Sequence, residues 1–282
     1  MKILITGANG FSGRKMQELL RAKNKLILAD ISTAPHVTIC DLTNFEQTLA
    51  LLRKTKPQKI YHFTGSFTNN YERDYKCNVV ATKNILDAVL ELKLKTRILL
   101  IGSSAEYGMV KKKDNPIAES YPLNPVSIYG LTKVYQTKLM QLYCALYNMD
   151  IVMARTFNLM GKGLSPQLFI GKLYQQIELY KAGKLSHITV GNTGNKRDYI
   201  SIDEAVKYYR LIMDEGEQGE VYNVGTGKSI QISALLKNIL KEEKVKSTAV
   251  KAMTGLQKNK MDVSDIRADI KKLNKLSASF KR

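Results

Sequence analysis

Three glycines near the N-terminus constrain the fold of this chain more than any other feature of its sequence. A short apolar run ends at Thr6, the glycines follow at Gly7, Gly10 and Gly13, and a helical pattern begins at Phe11. Gly7 permits a tight turn, Gly10 lets the backbone approach a pyrophosphate, and Gly13 allows the helix to pack closely on the strand. The helix N-terminus adds free N–H groups and the positive end of the helix dipole. The spacing therefore predicts a strand–turn–helix unit that binds phosphate.

Strand-like and helix-like segments alternate through the rest of the first half of the chain. The predicted strands are Lys2–Thr6, Lys25–Ala29, Val37–Cys40, Lys59–Phe63, Arg97–Gly102 and Ile151–Ala154. The predicted helices are Phe11–Ala22, Asn44–Lys54, Cys77–Leu92 and Ile128–Tyr147. This alternation indicates an α/β fold, a doubly wound parallel Rossmann sheet covered by helices on both faces.

The second half of the chain has a looser pattern. It predicts helices at Leu168–Ala182, Ile202–Met213 and Ile230–Lys241, strands at Ile188–Val190 and Val221–Val224, and a terminal helix with a basic tail within Met261–Arg282. We expect residues 1–158 with roughly 200–226 to form the dinucleotide-binding Rossmann domain. Roughly 159–199 and 227–282 are expected to form a smaller, interleaved substrate lobe.

Composition narrows the classes of protein that this chain can belong to. The 44 Lys and Arg against 25 Asp and Glu give a net charge of +19, which suits a nucleotide diphosphate as well as a nucleic acid. The lysines are spread along the chain, so the charge alone does not predict nucleic-acid binding. No apolar run approaches the roughly 20 residues of a membrane span. Cys40, Cys77 and Cys144 lack metal-ligand spacing, which predicts reduced thiols, no metal site and a cytoplasmic protein.

An acidic residue follows the second predicted strand. Asp30 can accept a hydrogen bond from a ribose 2′-hydroxyl and would repel a 2′-phosphate, so NAD(H) is favoured over NADP(H). Arg14 and Lys15 lie close by in the sequence and keep NADP(H) possible. Asp41 and Leu42, after the third strand, could close over an adenine; alternatively, Asp41 caps the next helix.

A tyrosine and a lysine at helical spacing form the candidate catalytic pair. Tyr129 and Lys133 are four residues apart and share one face of a predicted helix. An ammonium group beside a phenol is expected to lower the phenol pKa and make Tyr129 a usable acid or base. The stretch Gly102–Gly108, at the carboxyl end of a predicted strand, offers Ser103 and Ser104 as hydroxyl groups to steer the substrate oxygen.

Several motifs together resemble the extended short-chain dehydrogenase/reductases, the NAD-dependent epimerase/dehydratase family. They are Thr6–Gly13, His62–Gly65, Asn78–Val79 with Thr82–Asn84, Gly102–Gly108, Tyr129–Lys133, Arg155–Gly161, Arg197–Tyr199 and Val221–Gly225. The resemblance covers about residues 1–242. Within the family the chain is most similar to the GDP-4-keto-6-deoxymannose reductases, on Gly102–Gly108, Glu178–Lys184, Val190–Asn192 and Arg197–Asp198.

The resemblance implies a role for each matching residue. Ser103, Tyr129 and Lys133 would be catalytic. The cofactor would contact Gly7, Asn9, Gly10, Phe11, Gly13, Asp30, Asp41, Leu42, Phe63, Thr64, Gly65, Tyr129 and Lys133. The substrate, a nucleotide-diphosphate sugar, would contact Ser104, Asn158, Lys172 and Arg197. Arg197 could instead pair with Asp198, and Lys172 could lie on a solvated helix face.

The residue two after Ser103 separates the reactions that this family carries out. Dehydratases carry a Glu there and epimerase-reductases a Cys, whereas this chain has Ala105. Strand alternation would turn Glu106 away from that position. We therefore expect an NAD(P)H-dependent reductase of a 4-keto-6-deoxy sugar, with a GDP-linked substrate favoured.

Two other functional hypotheses remain open from the sequence. One is a nucleotide-sugar 4-epimerase or 4,6-dehydratase with tightly bound NAD. The other is a non-catalytic protein that senses NAD or binds RNA. The family commonly forms homodimers through a four-helix bundle, which would use the helices Cys77–Leu92 and Ile128–Tyr147.

Overall fold

A seven-stranded parallel sheet forms the centre of the protein. The computed structural model describes residues 1–252 and 263–280. The strands of this sheet are β1 (Lys2–Thr6), β2 (Lys25–Asp30), β3 (Val37–Ile39), β4 (Lys59–His62), β5 (Arg97–Ser103), β6 (Ile151–Thr156) and β11 (Val221–Val224). Their order is β11-β6-β5-β4-β1-β2-β3, and every neighbouring pair is parallel. β6 is buried along its whole length because helices cover both faces of the sheet.

Helices pack on both faces of this sheet. The α-helices of the described residues are α1 (Phe11–Leu20), α2 (Phe45–Thr55), α3 (Tyr71–Tyr75), α4 (Ala81–Glu91), α5 (Ile128–Tyr147), α6 (Phe169–Lys181), α7 (Ile202–Glu215), α8 (Ile232–Glu242) and α9 (Lys271–Phe280). One apolar core joins the sheet to α2, α4 and α5, and a second joins it to α1, α7 and α9. The predicted doubly wound Rossmann fold is confirmed.

The smaller strands lie beside the carboxyl end of the central sheet. They are β7 (Asn158–Met160), β8 (Ile188–Val190), β9 (Lys196–Arg197), β10 (Tyr199–Ser201), β12 (Ile230–Gln231), β13 (Val250–Ala252) and β14 (Asp265–Ile266). They form the pairs β10-β7 and β13-β8 and the three-stranded sheet β12-β9-β14. A third apolar core joins β8 to α6 and α8. The division of the chain into a Rossmann domain and a substrate lobe stays a prediction, and α9 packs against α7 rather than against α6 or α8.

Three predicted helices differ from the structure in ways that have physical causes. The predicted helix Cys77–Leu92 begins earlier, at Tyr71, and runs without a break through α3, a π-helical turn at Lys76–Val80 and α4. The helix predicted from Ile230 begins at Ile232, because Ile230–Gln231 pairs with β9. In the terminal segment the helix is confined to α9, and residues 261, 262, 281 and 282 lie outside the described residues.

Candidate active site

The turn after β1 has the shape that a bound pyrophosphate requires. Gly7 has φ +62°, and a Cβ there would lie 2.8 Å from the Phe63 carbonyl carbon. A Cβ on Gly13 would lie 2.2 Å from the Gly7 oxygen, so α1 could not pack this close to β1 with any other residue. A Cβ on Gly10 would approach only the Gly7 oxygen, at 3.1 Å, and would otherwise point into open space. These residues fit a dinucleotide cofactor whose phosphates face the N-terminus of α1.

A cavity of about 960 Å³ begins at this turn and runs over the carboxyl ends of β4, β5 and β6. It brings together most of the predicted site residues: Gly7, Asn9, Gly10, Phe11, Gly13, Phe63, Thr64, Gly65, Ser103, Ser104, Tyr129, Lys133, Asn158 and Arg197. The predicted residues that do not line it are Asp30, Asp41, Leu42 and Lys172. The cavity crosses the edge of a parallel sheet where open α/β folds bind ligands.

Asp30 lies at the end of β2 beside the phosphate turn. Its Oδ2 accepts a hydrogen bond from the Asn9 amide at 3.0 Å, and its Oδ1 accepts bonds from the Ser32 amide and hydroxyl at 2.9 and 2.8 Å. Arg14 lines the cavity and donates to the Asn9 carbonyl oxygen. Lys15 turns away from the turn and pairs with Glu18 and Asp203.

The other predicted residues outside the cavity have structural partners. The Asp41 Oδ1 accepts hydrogen bonds from the Thr43 amide and hydroxyl at 2.9 and 2.7 Å, which supports the turn into α2. The Leu42 side chain is buried in the core beneath that turn. Lys172, on α6, lines a separate small cavity with Gln176.

Ser103, Tyr129 and Lys133 converge at the centre of the main cavity. Ser103 is the last residue of β5, and the Ser127 side chain caps α5 so that the helix begins one residue before Tyr129. The Ser103 hydroxyl is hydrogen-bonded to the Tyr129 phenol. The Lys133 Nζ lies 5.8 Å from the centre of the Tyr129 ring.

The ionisation of the Tyr129 phenol differs from the prediction. Burial raises the pKa of Tyr129 to about 12, because removal from water penalises the phenolate more than the Ser103 hydrogen bond favours it. The expected lowering of this pKa by Lys133 is therefore wrong for the protein alone. Burial also lowers the pKa of Lys133 to about 8, against the opposing effect of the Glu106 and Asp74 carboxylates. At neutral pH the site holds a neutral phenol beside an ammonium group.

A chain of buried hydrogen bonds orients Lys133. Its Nζ donates to the Ile101 carbonyl oxygen at 2.9 Å and to the Gln136 Oε1 at 3.1 Å. Gln136 donates in turn to the Thr82 hydroxyl at 2.8 Å, and Thr82 contacts His62 at 3.1 Å. Burial and the nearby Lys133 ammonium lower the pKa of His62 to about 3, so this imidazole is neutral. The other ring nitrogen of His62 lies 2.8 Å from the hydroxyl of Thr6, the last residue before the glycine turn, so the chain of hydrogen bonds links Lys133 to the end of β1.

Asp198 organises the side of the cavity that the smaller strands form. The Asn158 Nδ2 donates to the Asp198 carbonyl oxygen at 3.1 Å. The Asp198 carboxylate accepts hydrogen bonds from the amides of Thr226, Gly227 and Ala268. Arg197 faces the cavity and donates to the Lys196 carbonyl oxygen at 2.8 Å and to the Val263 carbonyl oxygen.

Glu106 does not lie on a strand as predicted, because β5 ends at Ser103 and a 3₁₀ turn, Ser104–Glu106, follows it. Glu106 nevertheless points away from the cavity. Its carboxylate is fully buried and forms an ion pair with Arg155 at 2.9 Å. Ala105 lines the cavity at the position where a dehydratase has its acid. Among the described residues, no cluster of three or more His, Cys, Asp or Glu side chains could hold a metal.

Some cavity residues were not predicted from the sequence. The Phe67 ring packs edge-on against Tyr129 with ring centres 6.3 Å apart, and Arg73 also faces the cavity. A buried carboxylate holds their loop, since Asp74 accepts hydrogen bonds from Ser66, Thr68 and Asn69. A dense group of Ser, Thr and Asn residues before an Asp was the only signal in the sequence.

Thr156 and Tyr209 form another unpredicted pair in the cavity wall. Their hydroxyls lie 2.9 Å apart, and both residues line the cavity. Tyr209 belongs to α7, which follows β10 and packs back against the central sheet. Tyr209 reaches the cavity only through this long-range packing, and no local sequence motif predicts its position.

Comparison with known proteins agrees with this geometry. The model of the NAD dependent epimerase/dehydratase family matches residues 3–225. A GDP-6-deoxy-D-talose 4-dehydrogenase from Aggregatibacter actinomycetemcomitans is 28% identical over 231 residues, which are 80% of this chain and 75% of that relative. A GDP-6-deoxy-D-mannose reductase from Pseudomonas aeruginosa is 26% identical over 241 residues, 83% of this chain and 78% of the relative.

Solved structures share the whole architecture. RMD from Pseudomonas aeruginosa, complexed with NADPH, superimposes with a TM-score of 0.86 over 98% of this chain and 92% of that one, at 22% identity. The UDP-glucose 4-epimerase of Thermus thermophilus, in complex with NAD, has a TM-score of 0.84 over 100% and 94% of the two chains, at 20% identity. At this identity the likeness is one of fold.

Proposed function

The chain belongs to the NAD dependent epimerase/dehydratase family, and we propose that it is an NAD(P)H-dependent reductase of a nucleotide-diphosphate 4-keto-6-deoxy sugar, with a GDP-linked substrate favoured. One observation carries the proposal. Ser103, Tyr129 and Lys133 meet in the cavity beside the phosphate turn, while Ala105 leaves the dehydratase acid position empty of any acid or base. The relatives named for GDP-6-deoxy sugars support the substrate class.

The cavity residues divide the work of a carbonyl reduction. NAD(P)H, when bound, supplies the hydride that adds to the 4-keto carbon. Tyr129, a neutral phenol with a pKa raised to about 12, donates its proton to the oxygen as that oxygen becomes an alkoxide. Ser103 would donate a hydrogen bond to the same oxygen, and Lys133 would hold the ribose and favour the phenolate that remains. Tyr129 is protonated at neutral pH and therefore holds the proton that the reductive direction requires.

The same cavity offers groups for the two halves of the substrate. Arg197 and Asn158 face it from the side of the smaller strands, where they would hold the diphosphate through charge-assisted hydrogen bonds. Ser104 faces it beside Ser103, where it would contact the sugar. Lys172 does not line this cavity. Its predicted contact with the substrate would require the substrate to reach the second, smaller cavity.

A homodimer built on a four-helix bundle is part of the proposal. On α5, the side chains of Tyr135, Leu142 and Leu146 are 38%, 50% and 61% exposed and lie at helical spacing on one face. Tyr75 of α3 extends this face, since its ring lies 6.2 Å from that of Tyr135. A second copy of this chain would cover the face.

Among the described residues no helix has the length and apolar character needed to cross a membrane. We propose a cytoplasmic location.

Cofactor oxidation tests the proposed reaction. GDP-, dTDP-, UDP- and CDP-linked 4-keto-6-deoxy sugars would each be offered with NADH and with NADPH, and absorbance of the reduced nicotinamide followed. Turnover with one nucleotide, lost in Tyr129→Phe, is the expected result. A wild-type protein that binds cofactor but oxidises it with none of these sugars would contradict the proposal.

The tightness of cofactor binding separates the main alternative. Epimerases and dehydratases of this fold regenerate their NAD, so the purified protein would carry bound NAD through gel filtration. We expect the purified protein to exchange its cofactor freely. Retained stoichiometric NAD, with interconversion of a nucleotide sugar and no net oxidation, would favour the epimerase or dehydratase.

A further inference from the structure

Glu106 lies buried directly behind the catalytic groups and uses both of its carboxylate oxygens. Its Oε1 accepts a hydrogen bond from the Ser103 amide at 2.7 Å. Its Oε2 accepts bonds from the Thr137 hydroxyl at 2.6 Å and from the Arg155 Nε at 3.1 Å, and the Arg155 Nη2 lies 2.9 Å away. One side chain therefore joins the end of β5 to α5 and to β6.

The position of Thr137 makes this link relevant to the active site. Thr137 follows Tyr129 by eight residues and Lys133 by four, so the three side chains share one face of α5. A hydrogen bond at Thr137 fixes the rotation of that face relative to β5. The same carboxylate holds the Ser103 amide, while the Ser103 hydroxyl contacts the Tyr129 phenol.

We propose that Glu106 is a positioning residue, which holds Ser103 in register with Tyr129 and Lys133 by tying the end of β5 to α5 and β6. The proposal rests on the proposed reductase function, because it assigns Glu106 a role in placing the groups that receive the developing alkoxide. Glu106 acts through Ser103 and does not itself face the cavity.

The packing around Glu106 leaves little room for movement. A Cβ on Gly102 would lie 2.6 Å from the Glu106 Oε1, so the carboxylate is in close contact with the carboxyl end of β5. Arg155 is 2% exposed, and its guanidinium carbon lies 4.9 Å from the centre of the Tyr107 ring. A buried, fully hydrogen-bonded group of this kind specifies one arrangement of the elements that it joins.

The charge of Glu106 also reaches the catalytic pair. The ionisable groups that face Lys133 are His62 on β4, Asp74 on α3, Tyr129 on its own helix, and Glu106. Glu106 and Asp74 oppose the lowering of the Lys133 pKa by burial. Removal of the Glu106 charge would therefore lower this pKa further and move the loss of the ammonium to a lower pH.

Glu106→Gln removes the charge and leaves one acceptor oxygen in place of two, so if its oxygen keeps the Ser103 amide its NH2 group faces the Thr137 hydroxyl and the Arg155 guanidinium, and the ties to α5 and β6 are weakened. We expect kcat for sugar reduction to fall about tenfold or more with KM changed less than about twofold, because Ser103 acts on the alkoxide rather than on the bound ketone. The high-pH limb of kcat should move down by about half a pH unit or more. Asp214→Asn is the matched control, since Asp214 pairs with Lys59 at 2.5 Å at the amino end of the sheet. It should lower the melting temperature and leave the pH limb unchanged.

A second variant keeps the test valid if Glu106→Gln fails to fold because Arg155 is left unpaired. Glu106→Gln with Arg155→Met contains no buried unpaired charge and should show the same fall in kcat. Wild-type kcat and pH limb in either folded variant, or a loss of activity that only follows the folded fraction as in Asp214→Asn, would overturn the proposal.

A measurement that needs no substrate tests the role of Glu106 independently of the proposed reductase function. The pKa of Lys133 can be followed by NMR in protein labelled with ¹³C at lysine Cε, with the signal assigned by Lys133→Met. A lower Lys133 pKa in Glu106→Gln than in the wild type supports the coupling even if no tested sugar is reduced. An unchanged pKa would overturn the coupling even in an active reductase.

Discussion

Alanine substitutions at two glycines of the phosphate turn should separate the stability of the fold from cofactor binding. Gly13→Ala would place a Cβ 2.2 Å from the Gly7 oxygen and 2.9 Å from the Ala8 Cα, both backbone atoms that side-chain rotation cannot move. Relief requires α1 to shift away from β1. Overpacking of this kind costs about 1–3 kcal/mol. At the upper end, the melting temperature should fall by roughly 6–12 °C.

Gly10→Ala should have the opposite signature. Gly10 has φ −72° and ψ 168°, which alanine adopts without strain, and its Cβ would approach only the Gly7 oxygen, at 3.1 Å. Alanine also lowers the entropy of the unfolded chain, which stabilises the folded state by about 0.4–1 kcal/mol and offsets the cost of the close contact with the Gly7 oxygen. The melting temperature should therefore stay within about 2 °C of the wild type. The new methyl group projects into the cavity, so affinity for NADH or NADPH should fall about tenfold or more, which corresponds to about 1.4 kcal/mol.

The assay for both variants combines thermal unfolding with titration of nucleotide fluorescence, which tryptophan emission does not obscure because the chain has no Trp. Wild-type cofactor affinity in Gly10→Ala would show that phosphates do not lie against this turn. Wild-type stability in Gly13→Ala would refute the argument from close helix–strand packing.

Three further predictions concern pH, cofactor choice and assembly. Sugar reduction should decline as pH rises through about 8, where Lys133 loses its proton while Tyr129 stays protonated, and kcat/KM measured from about pH 6 to 10 should show one descending limb. Asp30→Asn should raise the ratio of NADPH to NADH affinity about tenfold, measured by fluorescence titration, since a carboxylate no longer repels the 2′-phosphate; an unchanged ratio would count against this role. Leu142→Lys should convert dimers to monomers in sedimentation velocity, whereas Ile39→Lys, at the edge of the sheet, should not; equal effects would argue against the α5 interface.

Local sequence signals were sufficient for the elements of the Rossmann sheet. The β1 strand, the glycine turn and α1 are consecutive in the chain, so glycine spacing and hydrophobic pattern specify them directly. β6 was recognisable from the apolar run Ile151–Ala154, which is typical of a strand buried on both faces, but its last two residues are polar and were not included. The carboxyl-end location of Ser103 followed from this topology.

Features that depend on long-range contacts were not accessible from the sequence. The π turn within the predicted Cys77–Leu92 helix contains Asn78, whose buried side chain donates to the Ser66 carbonyl oxygen and to the Thr132 hydroxyl. Pairing with β9 converts Ile230–Gln231 from helix to strand. These contacts join residues far apart in the chain, which a local pattern cannot encode.

The ionisation of the site residues was also only partly predictable from the sequence. The i, i+4 spacing of Tyr129 and Lys133 was predicted, but the sign of the Tyr129 pKa shift was not, because burial outweighs the neighbouring charge. The partner of Glu106 was also hidden, since Arg155 comes from β6 and meets it only in the folded sheet. Spacing therefore identified which groups meet, while their ionisation required the packed environment.

The most direct test of the reductase account follows the hydride itself. NADH or NADPH with both hydrogens at C4 of the nicotinamide replaced by deuterium would be incubated with the GDP-linked 4-keto-6-deoxy sugar, and the product examined by NMR and mass spectrometry. We predict one deuterium at C4 of the sugar for each cofactor oxidised, and none in Tyr129→Phe. Reduced cofactor left unconsumed, with a sugar that is isomerised or dehydrated but carries no deuterium, would contradict the account.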